Sequence, residues 1–408
     1  MSQQNSTPRM GRVEQVILLA LLSSLIALSI DSMLPALAHI VMDLNVVDPN
    51  GRQYVVGATF VGMAFGMFIY GPISDSLGRK RPIYAGILIF LTGCLLSIFA
   101  ENYTLMLLGR FLQGLGAASP RVVSIALIRD QYSGREMARF TSLVMTVFIL
   151  VPVLAPALGQ IILLFASWRY IFVAMFTLGV IALFWLALRQ KETLVHEKRV
   201  PFTVNRLLEA VIEVLKTPIS FGYTILSGFV FAAFLSFLTQ SQQIFQEQYG
   251  VGELFPIYFG SLALAFGGAS FTNSSLVMKL GMMNLIKKAL WVFTILSVLF
   301  LGYAFATEGQ PSLWLLMAFL LLIFFCVGIL FGNINAQAME PLGHIAGVAS
   351  AVITSGSTFM SVILGTIVAQ SYDGTVLPLV IGFSSFGLLS LMVLYFTNSR
   401  HVEVQNAS

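Results

Sequence analysis

Three charged residues stand inside long apolar stretches of the sequence. Asp31 lies in the run over 15–40, whereas Arg110 and Arg121 lie in the run over 103–125. A charge at the middle of a bilayer costs about 2.5 to 3.5 kcal/mol on insertion scales, so such residues are expected to face a protein interior or a wet cavity. An intramembrane carboxyl is also a candidate proton carrier. These residues therefore predict proton transfer, or recognition of a charged solute, within a membrane.

Asp31 and Arg110 are expected to lie at similar depth. Their runs cross in opposite directions, and at about 1.5 Å per residue both positions fall in the outer half of the membrane. Two interpretations stay open: a pair that couples protons, or an ion pair that only holds two helices together. Arg121 follows Arg110 by about three helical turns, on nearly the same face and roughly 16 Å deeper. It either extends a basic stripe that attracts an anionic substrate, or reaches out to the lipid headgroups.

The composition requires a membrane as the main solvent of the fold. Hydrophobic residues make up 57% of the 408 residues and charged residues only 10%, against about 25% charged residues in soluble domains. Cys94 and Cys326 lie inside apolar runs and are expected to be buried hydrophobes. The four histidines show no metal-ligand spacing, so neither a metal nor a cofactor is predicted.

Apolar runs long enough to cross a bilayer recur along the whole chain. They predict an all-α membrane protein of twelve transmembrane helices in two six-helix bundles. A polar interruption divides the chain into an N-terminal bundle over 1–188, a cytoplasmic linker over 189–217 and a C-terminal bundle over 218–408. The predicted spans are 15–40, 53–74, 82–100, 103–125, 141–165, 168–188, 219–245, 254–278, 286–306, 312–336, 344–370 and 376–397.

The basic residues predict the orientation of these spans. Most of the 22 lysines and arginines fall in loops on one side, which the positive-inside rule makes cytoplasmic, together with both termini. Arg52 and Arg169 alone are assigned to the opposite side. The net charge of +4 is then topological and predicts no nucleic-acid partner. Arg9 and Arg12 before an apolar run could mark a cleaved signal, but Asp31 within that run favours a retained first helix.

Several short segments carry more specific patterns. The loop after the second span reads GPISDSLGRKR, in which glycines permit a tight turn, an acid can pair with a base, and a basic cluster holds the loop on the cytoplasmic side. The fourth span contains RFLQGLGA, the fifth PVLAPALG, and the first IDSMLPAL. The residues singled out in these segments are Gly71, Asp75, Gly78, Arg79, Lys80, Arg81, Arg110, Pro152, Pro156, Gly159 and Asp31.

These segments resemble motifs of the major facilitator superfamily, specifically the twelve-helix drug:proton antiporters and their bicyclomycin/chloramphenicol-resistance branch. The resemblance implies that the loop network locks an outward-open state, that Arg110 belongs to a proton-transfer motif, and that Asp31 takes part in proton coupling. It also implies that Pro152, Pro156 and Gly159 shape a bend where two helices approach closely. The sequence departs from the family pattern at Ala155, Gln160 and Met33.

Such transporters bind substrate near the midplane, between the two halves. Residues expected at this cavity come from spans one, four, five, seven, eight, ten and eleven, although helix packing or lipid contact is an equal interpretation for the aromatic ones. Asn333 and Asn335 cannot both face it, because residues i and i+2 of a helix point apart. Glycines of the second span are expected to pack on the glycine-bearing eleventh. The predicted cavity residues are Met33, Gln113, Arg121, Phe148, Phe234, Phe237, Gln240, Asn333 and Asn335.

Three functions compete at this point. The leading hypothesis is a proton-coupled antiporter, a monomer in the bacterial inner membrane, that exports small amphipathic molecules as a multidrug efflux protein. The alternative is a dedicated exporter of an endogenous anionic metabolite, such as a siderophore or amino-acid derivative, suggested by Arg110 and Arg121. A membrane receptor or enzyme is disfavoured because the sequence shows no nucleophile–base set or metal cluster, and the lack of a nucleotide-binding loop argues against an ATP-driven pump. The expected partners are a small-molecule substrate, protons and the lipid bilayer.

Overall fold

The computed structural model describes residues 10–407, so Arg9 and the first and last residues of the two predicted bundles lie outside it. The described chain is built from helices joined by short turns. Their bounds are α1 Arg12–Asp31, α2 Leu37–Asp43, α3 Arg52–Leu77, α4 Lys80–Ile98, α5 Tyr103–Gln131, α6 Gly134–Phe165, α7 Arg169–Arg189, α8 Val204–Lys216, α9 Pro218–Gln242, α10 Phe255–Leu280, α11 Met282–Ala306, α12 Leu313–Met339, α13 Ala346–Gln370 and α14 Leu377–Ala407.

Within the described range, eleven helical runs are long and apolar enough to cross a membrane. One of them, Leu313–Gln370, is 58 residues long and contains two predicted spans, α12 and α13. A short turn joins these two, and Leu342 leaves helical geometry there, with φ −109° and ψ 24°. The predicted span over 15–40 comprises α1, a short turn and α2, and each of the other predicted spans corresponds to a helix, which confirms an all-helical membrane fold.

The two ends of the bundle carry different loops. We call one end the linker face, because the linker after α7 contacts the α3–α4 turn there: the backbone N–H groups of Arg79 and Lys80 donate to the Glu192 carboxylate. We call the other end the far face. It holds Arg169, whose guanidinium lies 2.6 Å from the Asp43 carboxylate.

Glycines set the closest helix contacts, though not only with the predicted partner. A Cβ on Gly62 would lie 2.0 Å from the Phe111 carbonyl oxygen, and one on Gly114 would lie 1.9 Å from the Thr59 carbonyl oxygen. The glycines of α3 thus bring its backbone against α5, within the first half. The expected contact with α13 is an ordinary one, because a Cβ on Gly71 would meet the Ala351 side chain at 3.5 Å.

The linker contains a helix that the sequence analysis did not predict. α8 buries Ala210 and Val214 and packs against α9 and α13. It leaves Leu208 and Ile212 about half exposed, at 53% and 48%. A helix at the end of a membrane bundle with such an outward apolar stripe is typical of a segment that lies in the headgroup layer.

Candidate functional site

A cavity of about 570 Å³ lies between helices of the first and second halves of the chain. This volume is in the range of sites for small organic molecules, about 300 to 1,000 Å³. Its wall is formed by α1, α3, α5 and α6 on one side and by α9, α10, α12 and α13 on the other. All seven spans that were expected at the cavity contribute to its wall. The helix α3, which was not expected there, adds Phe60, Met63 and Met67.

Phenylalanine side chains make up much of this wall. Phe148, Phe234 and Phe237 line the cavity as predicted. The rings of Phe231 and Phe234 stack with centroids 5.7 Å apart, and Phe237 meets Phe324 edge-on at 4.8 Å. Sequence reasoning missed further lining phenylalanines, several of them seven residues apart on one helix, a spacing that places both on the same face. The missed residues are Phe60, Phe231, Phe259, Phe266, Phe324 and Phe331.

Asp31 ends α1 and lies in the cavity wall. The residue is 6% exposed. Among the described residues, none forms an ion pair or a hydrogen bond with its carboxyl group. Because a charged carboxylate without a partner is costly in an apolar wall, binding of a proton or a cationic group there is favourable.

Arg110 does not pair with Asp31, contrary to the expected ion pair. It is fully buried and donates to the Val55 carbonyl oxygen at 3.3 Å, to Ser29 Oγ at 3.1 Å and to Gln113 Oε1. Its guanidinium also lies 5.7 Å from the Phe172 ring centroid. Equal depth does not fix the direction in which a helical side chain points, and Arg110 points into the packed interior of the first half.

Gln113 belongs to the same buried network instead of the predicted cavity. Its amide donates to the Gly93 carbonyl oxygen at 3.1 Å and to Ser97 Oγ at 2.9 Å. It also accepts a hydrogen bond of 3.0 Å from Ser29 Oγ. Arg110 and Gln113 together therefore join α1, α3, α4 and α5 through groups that lipid could not satisfy.

Arg121 faces the cavity and not the headgroups. It lines the wall, and its guanidinium carbon lies 5.1 Å from the centroid of the Phe148 ring. In the part of the chain that the structure describes, no carboxylate pairs with it. The basic stripe expected from Arg110 and Arg121 is thus reduced to one cavity residue.

Four other predicted cavity residues point elsewhere. Met33 is fully buried beside the turn Leu34–Ala36, and the Gln240 amide donates back to the Ser236 carbonyl oxygen at 3.0 Å. Asn333 donates to Asn273 Oδ1 at 2.6 Å, a contact between α12 and α10. Asn335 donates to the Phe331 carbonyl oxygen of its own helix at 3.0 Å. The three amide side chains thus form hydrogen bonds with nearby backbone or with a neighbouring helix, because buried polar groups need partners. Composition alone does not reveal which partner each one has.

The loop motif forms an ion network at the linker face. Arg79 is nearly buried and lies 2.5 Å from Asp75 and 2.7 Å from Asp130. Gly78 adopts a positive φ of 92°, which favours glycine at this turn. Lys80 lies over the Tyr84 ring, and Arg81 is exposed. Gly71 and Asp75 also reach the cavity wall.

Glu192 of the linker caps this network, and the sequence analysis did not identify it. Besides Arg79 and Lys80, the backbone N–H groups of Thr193 and Leu194 donate to its carboxylate. Partial burial raises the pKa of Glu192, but these four hydrogen bonds to the charged form outweigh it and hold the pKa below its ordinary value. The linker is therefore attached to the α3–α4 turn through an ionised side chain.

The halves are tied together at the far face by a cluster that the sequence analysis did not predict either. Gln53 donates to Gln243 Oε1 at 2.8 Å, and Gln243 donates to Asn50 Oδ1 at 2.9 Å. Asn50 donates to the Gln370 carbonyl oxygen at 3.1 Å, and Arg52 pairs with Glu247. We call this set, with Gln242, the far-face cluster: Asn50, Arg52, Gln53, Gln242, Gln243, Glu247 and Gln370.

The prolines and glycine of α6 lie where the resemblance places a close approach. Pro152 lines the cavity, and Pro156 is buried one turn further along. A Cβ on Gly159 would lie 1.7 Å from the Ser32 carbonyl oxygen. Only glycine lets α6 contact the backbone just beyond Asp31.

The cavity reaches the linker face, where Asp75, Arg129 and Gly347 belong to its wall, while the far-face cluster lies beyond its other end. A large apolar cavity between two sets of membrane helices, with a polar cluster between the halves beyond one end, is typical of a membrane transport protein. The family model "Major Facilitator Superfamily" matches residues 19–366. The chain belongs to this family, whose members are transporters and not enzymes.

Individual relatives agree with this assignment. The chain is 29% identical to a bicyclomycin resistance protein homolog of Haemophilus influenzae over 99% of both chains. It is 30% identical to the multidrug resistance protein MdtL of Escherichia fergusonii, over 79% of this chain and 80% of that protein. The fold is also similar to that of the nucleoside transporter NupG, with a TM-score of 0.73 at 12% identity over 95% of this chain and 99% of that one.

Proposed function

We propose that this protein is a proton-coupled antiporter that exports small amphipathic molecules from the cytoplasm. One observation carries the proposal: Asp31, a carboxyl group without a protein partner in the described chain, lies in the wall of a phenylalanine-rich cavity. The relatives named for multidrug and bicyclomycin resistance support a drug-like substrate. The protein belongs in this view to the bacterial inner membrane and works as a monomer.

The linker face is the cytoplasmic face in this proposal. The basic residues concentrate there, as the positive-inside rule demands. The two far-face arginines, Arg52 and Arg169, are each paired with a carboxylate. Both termini are then cytoplasmic, and the cavity is open to the compartment from which substrate is taken.

Transport requires the far-face cluster to open and the cavity to close at the linker face. The parts that move are the bundles over 1–188 and 218–408, connected by the linker over 189–217. A proton on Asp31 and a substrate in the cavity weaken each other's binding, so each favours a different opening. The membrane potential adds about 2.3 kcal/mol per charge per 100 mV to inward proton movement.

The dedicated export of an anionic metabolite is less well supported. That alternative depended on two arginines along one stripe, and Arg110 is engaged with Ser29, Gln113 and Val55 instead. The remaining site is mainly apolar and contains the acid Asp31 as well as Arg121, so nothing in it favours a purely anionic solute.

A susceptibility panel tests the function directly. Expression in an efflux-deficient bacterial strain is expected to raise tolerance to several structurally unrelated amphipathic antibiotics by roughly fourfold or more, because an aromatic cavity of this size discriminates weakly between apolar bodies. The measurement is the minimal inhibitory concentration with and without the protein. Protection against no compound, combined with secretion of one endogenous acid, would support the alternative.

The far-face cluster provides a test of alternating access. Gln243→Ala removes two hydrogen bonds between the halves, each contributing about 1 kcal/mol, and is expected to increase the population open at the far face by roughly tenfold or more. The measurement is alkylation of a Phe237→Cys variant, in a Cys94→Ser, Cys326→Ser background, by an impermeant maleimide added at the far face.

The matched control is Gln310→Ala. Gln310 lies at the same face, but its hydrogen bonds join it to Gln248 and Gly374 of the second half. Its alkylation rate should equal that of the background. Equal rates for Gln243→Ala and Gln310→Ala would mean that the cluster does not hold the far face closed.

A further inference from the structure

Two opposite charges in the cavity have no protein partner. The charged residues of its wall are Asp31, Asp75, Arg121 and Arg129. Asp75 is paired with Arg79, and Arg129 is exposed at the linker-face end of α5. Asp31 and Arg121 remain, and within residues 10–407 neither forms an ion pair or a hydrogen bond. A partly desolvated charge without a partner is costly, so both residues favour a ligand that supplies one.

The two residues lie too far apart to neutralise each other. The hydrogen bond between Ser29 and Gln113 fixes the register of α1 against α5. From that level, Asp31 lies two residues toward the far face, about 3 Å, and Arg121 lies eight residues toward the linker face, about 12 Å. Their backbones are thus separated by about 15 Å along the bundle axis. The cavity has a negative group near one end and a positive group near the other, with aromatic rings between them.

Phe148 holds the guanidinium of Arg121 in a position suited to binding an anion. The ring lies 5.1 Å from the guanidinium carbon, an arrangement that holds the guanidinium by a cation–π interaction. A guanidinium held at its face keeps its in-plane N–H groups available, and these match the two oxygens of a carboxylate. A lysine or a neutral side chain at this position could not offer such a fork.

We propose that the preferred substrates are zwitterions, with a cationic group at the Asp31 end, a carboxylate at the Arg121 end and an aromatic body between them. This inference rests on the proposed export function and makes Arg121 a specificity-determining residue. A substrate with only one of the two charges leaves the other residue unpaired in the cavity. The site therefore selects by the presence of both charges and by their separation.

Three matched compounds test this selectivity. They are a fluoroquinolone with a free piperazine amine and a free carboxylate, its carboxyl methyl ester, and its N-acetyl derivative. Proton-driven uptake into everted membrane vesicles is measured for each. The wild-type protein is expected to prefer the zwitterion over the ester by at least tenfold in kcat/KM, because the ester forfeits a charge-assisted pair. Arg121→Gln is expected to lose this preference while still taking up the ester.

Two further variants make the result specific. Phe148→Leu keeps the charge of Arg121 but removes the ring that holds its guanidinium. The preference for the zwitterion over the ester should therefore fall severalfold without disappearing. Arg135→Gln removes an exposed arginine at the start of α6 and should leave the preference unchanged. A wild-type protein without preference, or an Arg121→Gln variant that retains the wild-type preference, would overturn the inference.

Equilibrium binding separates this inference from the export function. If none of the three compounds is taken up, the export proposal fails, and quenching of fluoroquinolone fluorescence by the purified protein still decides the selectivity. Tighter binding of the zwitterion than of the ester to wild type, with equal binding to Arg121→Gln, supports the inference. Equal binding of both compounds to wild type contradicts it.

Discussion

Asp31→Asn is expected to abolish uphill export while preserving the apolar cavity and the binding of substrates that carry no cationic group. Asparagine has nearly the shape of aspartate but cannot exchange a proton, so the coupling is lost and the cavity is preserved. A driving force of about 2.3 kcal/mol per 100 mV supports roughly fiftyfold accumulation per coupled proton, and this ratio should fall to about one. The measurement is substrate accumulation, together with substrate-induced proton release, in everted vesicles with an imposed proton gradient.

The matched control is Asp373→Asn. Asp373 is exposed in the turn before α14 and accepts hydrogen bonds from Thr375 through Oδ1. Asparagine retains that acceptor, so transport should be unchanged. Exchange of labelled for unlabelled N-acetyl derivative, which has no cationic group and needs no net proton movement, should survive in Asp31→Asn. Wild-type accumulation by Asp31→Asn would remove Asp31 from the coupling mechanism.

Gly114→Ala is expected to destabilise the first half of the protein severely. The new Cβ would lie 1.9 Å from the Thr59 carbonyl oxygen and 3.0 Å from the Met63 backbone nitrogen. Neither is the flexible end of a side chain, so α3 and α5 must separate. Overpacking of this kind costs about 1 to 3 kcal/mol and sometimes more, which corresponds to a loss of roughly 5 to 10 °C in Tm.

The comparison is with Gly302→Ala in α11, where a Cβ would meet nothing within 4 Å. Alanine is the better helix former by about 1 kcal/mol, so this variant should be as stable as wild type or slightly more stable. Thermal unfolding of the detergent-solubilised protein, followed by size-exclusion chromatography, measures both. Similar Tm values for the two variants would show that the α3–α5 contact is not as close as described.

The membrane-spanning helices and Asp31 could be predicted because each leaves a local signal. A membrane-spanning helix is recognised by the length of its apolar run. A single acidic residue within such a run must face a cavity or a partner. The choice of partner has no local signal. Arg110 has the depth to meet Asp31, yet the rotation of α5 directs it to Ser29 and Gln113.

The far-face cluster was beyond prediction for a related reason. Gln53 and Gln243 are 190 residues apart in sequence, and nothing near either glutamine indicates the other. The apolar positions of α8, among them Leu208, Val211 and Ile212, alternate with charged residues, so the linker lacks the long apolar run that marks a membrane-spanning helix. Those positions do follow helical spacing, so an amphipathic pattern was present in the sequence.

The linker also sets a mechanical limit on the molecule. It is bound to the first half at Val200, whose N–H donates to the Asp75 carbonyl oxygen at 3.0 Å, and to the second half through α8, which begins at Val204. The short stretch between them reaches at most about 14 Å when fully stretched. This short tether limits how far the two halves can separate at the linker face while α8 stays packed on the second half. It therefore sets an upper limit on the width of a solute that can enter the cavity from that face.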